Sequence, residues 1–221
     1  MGKFNPHFLV ISLGNPGRYY ETMHSAGHLA LLSLQKAIKN GADASGASSP
    51  GQPDFSPYKR WKKTCQASTG PKYTLLQSPT LMNVSGDFVR WAWNETLKGH
   101  GVPPSDLGLV VLHDELETRF GVVRTRQWGT SHRGHNGIKS IYQKLQIKDY
   151  PGARWARISV GIDRPESRDP ADVADYVLSR LTDQQKEAMD TEVGSRVLES
   201  LNQLEALWRQ QHEKDTPKDA T

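Results

Sequence analysis

Two short apolar runs, residues 8–13 (FLVISL) and 109–112 (LVVL), stop abruptly at polar residues: Gly14-Asn15-Pro16-Gly17 after the first, His113-Asp114-Glu115 after the second. A mostly apolar run of this length, closed by turn formers, reads as a strand buried on both faces. Such strands need cover on both sides, and the intervening segments have the pattern to supply it. Leu29, Leu32 and Leu34 lie on or near one side of a helix over 26–38 that closes on Lys36 and Lys39. Ser85 can cap a helix to about residue 97, with Phe88, Val89, Ala92 and Trp93 on its apolar side. Ile138, Ile141 and Leu145 form the stripe of a third helix over 136–147. Residues 155–162 alternate, with Ala156, Ile158, Val160 and Ile162 on one face and Trp155, Arg157, Ser159 and Gly161 on the other. Strand patterns also fall at 61–67, at 73–77 and at 121–127, the last exposing Arg124 and Arg126. Two helices, 170–180 and 183–210, close the chain, the second with Met189, Val193, Val197, Leu201, Leu204 and Trp208 at helical spacing. Strands and helices intermingle, so the expected class is α/β: a single domain of three layers, α/β/α, with a mixed twisted central sheet.

The 221 residues fit one domain. The single Cys65 excludes an internal disulfide framework and a Cys-rich zinc module. No apolar run approaches the ~20 residues of a membrane span, and the first strand begins too early for a targeting peptide. The expected compartment is therefore the cytoplasm, with the mitochondrion as alternative. Residues 41–57 contain thirteen Gly, Ala, Ser or Pro among seventeen and read as a flexible surface insertion within a domain of residues 1–212. A tail over 213–221 is expected to be disordered. The net charge of +4 hides an asymmetry: residues 1–160 carry 20 basic and 10 acidic side chains, residues 161–221 carry 8 and 14. The basic part can attract a polyanion such as nucleic acid, or be no more than a solvated basic surface.

Ligands of open α/β sheets sit beyond the carboxyl ends of strands, which directs attention to Asn15 and Asp114. The chain has no HExxH, PCxxC, Walker A or GxSxG motif, and the first turn lacks the third glycine of a dinucleotide fingerprint. His132 and His135 could share a metal, but a loop that hydrogen-bonds backbone or ligand is the preferred reading. The remaining set is Asn15 in LGNPG, His24 at a helix start, Asn83 in LMNVSG, Asp114 in HDEL and Asn136 in GHN. A neutral imidazole accepts a proton from water near pH 7, and a carboxylate on its other nitrogen fixes the tautomer. Amides can hold a water and donate to a forming oxyanion. Such a set suits hydrolysis of an activated acyl bond. Each residue also has a structural reading: Asn15 as a turn former, Asn83 and Asn136 as helix caps, Asp114 as the partner of an arginine.

The segments FLVISLGNPGRYYETMHSAG, LLQSPTLMNVSG, VVLHDELE, RGHNGIKSI and ISVGIDRP, in this order, resemble the peptidyl-tRNA hydrolases of bacterial type. The resemblance covers about residues 8–200, interrupted at 41–57, and the departures resemble eukaryotic members. VADYVLSRLTDQQ is similar to the family's lid-like C-terminal segment. The resemblance implies a single α/β domain with a mixed, twisted sheet. It implies hydrolysis of the ester joining a peptide to the terminal ribose of tRNA, without cofactor or metal. It implies His24 as general base, Asp114 as the carboxylate orienting it, and Asn136 as the amide holding water or the peptide carbonyl. Asn15 and Asn83 would line the site, with Met82, His135 and Tyr20 as flanking pocket residues. The spacing from Gly17 to His24 is one residue shorter than usual, which affects the equation of Tyr20 with the family's tyrosine.

The family's nearly all-glycine loop is here Gly129-Thr130-Ser131-His132-Arg133. Its clamp for the tRNA 5′-phosphate needs two basic residues. Arg126 or Gln127 stands at one position; Ser159 stands at the other, with Arg157 on the same strand face and Arg133 in the loop as substitutes. Lys139, Lys144 and Lys148, and the cluster Lys59, Arg60, Lys62 and Lys63, could follow an RNA backbone or simply face solvent. The expected partner is peptidyl-tRNA, through its acceptor stem and CCA end, bound by a monomer away from any membrane. A non-catalytic RNA-binding protein on the same scaffold is the alternative, and a peptidase or amidase a weaker one.

Overall fold

The structure, a computed structural model, describes residues 6–44 and 51–215. Its centre is β1 (His7–Ser12), whose Phe8 and Val10 face one layer and whose Leu9 and Ile11 face the other, all fully buried. The other strands are β2 (Ser56–Tyr58), β3 (Cys65–Thr69), β4 (Tyr73–Gln77), β5 (Leu107–Glu115), β6 (Val123–Gln127) and β7 (Arg154–Gly161). They form one sheet in the order β2-β3-β4-β1-β5-β7-β6. The four central strands are parallel and the edges antiparallel. That arrangement explains the mostly apolar runs: parallel strands are covered on both faces.

The helices are α1 (Ala26–Ala44), α2 (Ser85–His100), α3 (Asn136–Lys144), α4 (Pro170–Leu178), α5 (Asp183–Ala188) and α6 (Gly194–Asp215). Ala26, Ala30, Leu31 and Leu34 of α1 and Val197, Leu201 and Leu204 of α6 pack on the Phe8 side. Phe88, Val89, Ala92 and Trp93 of α2 and Ile138 and Ile141 of α3 pack on the Leu9 side. Trp93 meets Trp155 edge-on at 5.2 Å, a geometry worth about 0.5–1.5 kcal/mol beyond area burial. The alternation over 155–162 divides between the two cores as its pattern predicts. No helix among the described residues is long and apolar enough to cross a membrane.

The expected flexible insertion needs correction. α1 continues to Ala44, and after 45–50, which lie outside the described residues, the chain is again fixed against the sheet. Gln52, 3% exposed, donates to Ser68 O at 2.9 Å and Ser68 Oγ at 2.8 Å, and Gln35 donates to Pro53 O at 3.0 Å. β2 then adds to the sheet edge. Two buried amides and one short strand anchor a stretch whose composition alone argues for freedom. The strand expected at 61–67 begins instead at Cys65. The C-terminal helix, expected as one piece, is interrupted by a π turn at Met189–Val193. There Ser33 of α1 donates to Asp190 O at 2.8 Å and accepts from Gly194 N at 2.9 Å, substituting for the regular helical pattern. α6 runs through Asp215, so residues 213–215 are helical rather than tail; 216–221 lie outside the described residues.

Candidate active site

β5 outruns its neighbour. β1 ends at Ser12, opposite Leu112, whereas β5 continues through His113, Asp114 and Glu115, still paired to β7. Asp114 thereby projects beyond the carboxyl edge of β1 while staying 3% exposed. α1 starts over the same edge. A Cβ on Gly27 would lie 2.5 Å from Leu13 O and 2.8 Å from Leu112 O, so only glycine lets the first turn seat on both strand ends. The turn Met23–Ser25 just before it places His24 against Asp114. Ser25 Oγ accepts from Asn15 N at 2.9 Å and donates to Tyr19 O at 2.7 Å, binding the first polar cluster to the same corner.

His24 Nδ1 lies 3.0 Å from both Asp114 oxygens. It donates there, which leaves Nε2 as an acceptor. Burial alone would lower the His24 pKa; the Asp114 charge and hydrogen bond outweigh it, and the result lies above 6.5. Burial likewise opposes ionisation of Asp114, but the imidazoles of His24 and His135 hold its carboxyl far below the usual range. His135 occupies the N-cap of α3. Its Nδ1 accepts from Gly137 N at 3.1 Å and Ile138 N at 3.3 Å, so Nε2 carries the proton and donates to Asp114 Oδ1 at 2.9 Å. Asn15 Oδ1 accepts from Met82 N at 2.9 Å, leaving the amide NH₂ to donate elsewhere.

These groups line a cavity of about 730 Å³. Asn15, His24, Met82, Asn83, Asp114, His135, Asn136, Arg133 and Arg157 all reach it. The apolar side chains Val173, Ala174, Val177 and Leu178 of α4 form one wall, and Leu81 and Met82 are also at its border. α4 is capped by Asp169, which accepts from Ala171 N at 2.8 Å, and starts with Pro170. Its exit is bonded to the segment before His24: Met23 N donates to Ser179 O and Leu181 N to Glu21 O, both at 3.0 Å. The segment likened to a lid is thus a wall of the cavity.

Other expectations are not met. Tyr20 does not reach the cavity. Its hydroxyl bonds Gln77, its ring stacks on His28 at 5.5 Å, and it lines a separate cleft with Pro16 and Lys63. The turn Gly17–Tyr19 carries it to the other side of Asn15. Arg157 borders the cavity but is engaged within the fold. It is 3% exposed, donates to Thr130 O at 3.0 Å and Ser131 O at 3.5 Å, and lies over the Tyr142 ring. Its strand face is covered by the loop it holds. Arg126 sits outside the cavity, donating to Ser159 Oγ at 3.3 Å and 3.5 Å from Glu115. Lys139 and Lys144 are exposed on α3 away from the cavity lining, and Lys144 pairs with Asp87 at 3.4 Å.

His132 and His135 each accept a backbone N–H on Nδ1, in keeping with a loop that bonds backbone. His24, Asp114 and His135 offer three donor atoms within 4.8 Å of one another, but Asp114 already joins them by hydrogen bonds that a metal would have to break.

Sequence reasoning missed Arg164 and Arg168, which also line the cavity. Arg164 pairs with Glu117 at 2.5 Å, whereas Arg168 is exposed beside the start of α4. Arg164 stands three residues beyond the carboxyl end of β7, within ISVGIDRP, so the strand-end argument reaches it; Arg168 is marked by no local pattern and arrives because α4 folds back over the sheet edge.

The model of the family described as "Peptidyl-tRNA hydrolase" matches residues 9–218. A Schizosaccharomyces pombe protein named "Probable peptidyl-tRNA hydrolase" is 34% identical over 199 residues, covering 89% of this chain and 82% of the relative. The peptidyl-tRNA hydrolase of Geobacter sulfurreducens is 36% identical over 175 residues, covering 79% and 77%. A crystal structure of a variant of the Acinetobacter baumannii peptidyl-tRNA hydrolase superposes with a TM-score of 0.61 at 25% identity, covering 97% of this chain and 94% of that one. With the strand-end histidine–carboxylate pair in this fold, and a match over nearly its whole length, the chain belongs to the peptidyl-tRNA hydrolase family.

Proposed function

We propose that this chain hydrolyses the ester between peptide and tRNA in peptidyl-tRNA. The observation that carries the reading is the buried His24–Asp114 pair opening onto a cavity at the carboxyl edge of the sheet. Water donates a proton to His24 Nε2 as its oxygen attacks the ester carbonyl. Asp114 stabilises the imidazolium that forms, and stays ionised. The Asn15 and Asn136 amides, both at the cavity, serve as donors to the developing oxyanion and to the water; one such donor is worth about 2.7–4 kcal/mol. Collapse breaks the bond to the ribose oxygen, which takes the proton from His24. Asn83 and Met82 flank the leaving nucleotide, and the α4 wall limits solvent access.

Arg133 and Arg168, exposed at the cavity, are the cations placed to meet substrate phosphate, with Arg126 farther along the edge. This rebuilds the expected clamp without Arg157. Equal hydrolysis rates for substrates with and without a 5′-phosphate would reject it. A non-catalytic RNA-binding role needs no oriented base and leaves the His24–Asp114–His135 network without a purpose. The deciding assay is release of peptide from N-blocked aminoacyl-tRNA by the parent and His24→Ala. The parent releases peptide and the variant loses most of that activity; tRNA binding without release by the parent would favour the alternative.

A further inference from the structure

We propose that the loop 59–64, between β2 and β3, together with the cleft beside it, is a second docking surface for the RNA backbone of the substrate, distinct from the catalytic cavity. The proposal rests on the substrate reading above. Four cations fall within five positions, Lys59, Arg60, Lys62 and Lys63, and all are exposed. Among the described residues none of them has a carboxylate within ion-pair distance. Lys36, Lys39, Lys72, Lys98, Lys144 and Lys186 each do; Lys139 and Lys148 also lack one, but among the described residues only the loop gathers four such cations within five positions. Unpaired like charges held this close repel one another, and a polyanion relieves that repulsion.

The cluster is held in place. Trp61, the one uncharged residue among them, turns inward, edge-on to Phe88 at 5.1 Å and 6.3 Å from Trp91. Its contacts pin the loop to α2. Pairing of Tyr58 with Cys65, and of antiparallel β3 with β4, sets the loop at the carboxyl ends of β4, β1 and β5. This is the edge that carries the catalytic cavity. From β3 to β5 is three strand spacings, about 14 Å. Between them lies a cleft of about 300 Å³ lined by Pro16, Tyr20, Lys63, Gln77 and Pro79. The Asn15-Pro16 turn is the ridge separating the two, since Asn15 lines the cavity and Pro16 the cleft. Lys63 belongs to both loop and cleft. Three strand spacings, about 14 Å of sheet width, correspond to roughly four steps of a stacked strand at ~3.4 Å each. Flexible ammonium and guanidinium groups without a base-reading frame suit sequence-independent contact with phosphate.

The test is the fourfold variant K59A/R60A/K62A/K63A of the full chain, checked for an unchanged thermal midpoint. Binding of deacylated tRNA is followed by fluorescence anisotropy against salt concentration. The variant binds about tenfold more weakly, and its log–log salt slope is smaller by about two to three. In hydrolysis, KM for full-length peptidyl-tRNA rises about tenfold at constant kcat, while an ester on the two or three terminal nucleotides is hydrolysed at the parent's rate. Unchanged tRNA affinity and salt slope would overturn the proposal, as would equal loss on the short ester. Binding of the parent to anionic phospholipid vesicles but not to tRNA would assign the surface to a membrane and overturn it too. The binding arm needs no turnover: if the parent proves inactive yet the variant loses tRNA affinity, the catalytic reading fails and the docking surface stands. Should the fourfold variant lose its fold, K62E/K63E carries the same measurements.

Discussion

Asp114 is the residue on which the site turns, because two imidazoles spend their protons on one carboxylate. Asp114→Asn keeps the shape and removes the charge. The His24 imidazolium then loses the interaction that outweighs its burial, and its pKa falls. The activity of the parent requires neutral His24, so it rises with pH through a pKa above 6.5. In Asp114→Asn this acidic limb moves to lower pH while kcat drops on the order of 10³–10⁴-fold. A pH–rate profile checks both; an acidic limb that does not move would detach Asp114 from His24. Asn15, His24 and Asp114 were legible in the sequence because each stands directly at the end of an apolar strand or the start of a helix. Tyr20 was not, because one turn of backbone, Gly17–Tyr19, decides on which side of Asn15 a ring emerges, and composition does not encode that direction.

At the scale of elements, the connection between β6 and α3 decides how His135 and Asn136 are presented. Arg133 (φ 45°) and Gly134 (φ 84°) both take the left-handed conformation, costly for arginine, immediately before the cap. Arg157 holds the other end through Thr130 and Ser131, with Tyr142 OH donating to Thr130 O at 3.0 Å. Arg157 is therefore a positioning residue. Arg157→Met keeps the stem volume and removes the donors, leaving Thr130 O short of one partner. Its expected cost is about 1–3 kcal/mol of stability. kcat falls, by the same factor for substrates with and without a 5′-phosphate. A loss confined to the 5′-phosphorylated substrate would restore Arg157 as a phosphate ligand. The period-two alternation of β7 puts Arg157 on the same face as Ser159. What covers that face was not legible, because the cover is a loop from a distant part of the chain. The same limit hid β2: the chain leading into it is held by Gln52 and Gln35, single polar contacts that composition does not encode.

For the molecule as a whole, the split of charge along the chain becomes only in part a split in space. α6 runs from the carboxyl edge, where Arg196 donates to Gly121 O at 3.0 Å, to the opposite edge, where Trp208 stacks on Phe8 at 5.5 Å. α6 thus keeps its own acidic residues on the α1 face, whereas Asp169, Asp172 and Asp175 of the same C-terminal part stand in or beside α4 at the carboxyl edge, next to Arg164 and Arg168. Histidines also set how the whole fold responds to acid. Burial lowers His28 and His113 to about 3, His113 being pushed further by His135 and Arg157. Both are buried neutral, so the stability they contribute is present above 6.5 and is lost as pH falls toward 3, because the unfolded chain takes the protons. Each costs about 2 kcal/mol by pH 5, at 1.36 kcal/mol per unit below 6.5. His24 acts in the opposite sense: its raised pKa contributes stability that is full below 6.5 and fades as pH rises through the folded value. His7, lowered to about 4 by burial and by His100, acts in the same sense as His28 and His113, so three groups outweigh one and the thermal midpoint falls between pH 7 and pH 5. In Asp114→Asn the His24 contribution is lost as well, and the fall is steeper. Calorimetry of the parent and this variant across that range checks the balance; a midpoint rising toward pH 5 would mean that His28 and His113 are not buried as neutral imidazoles.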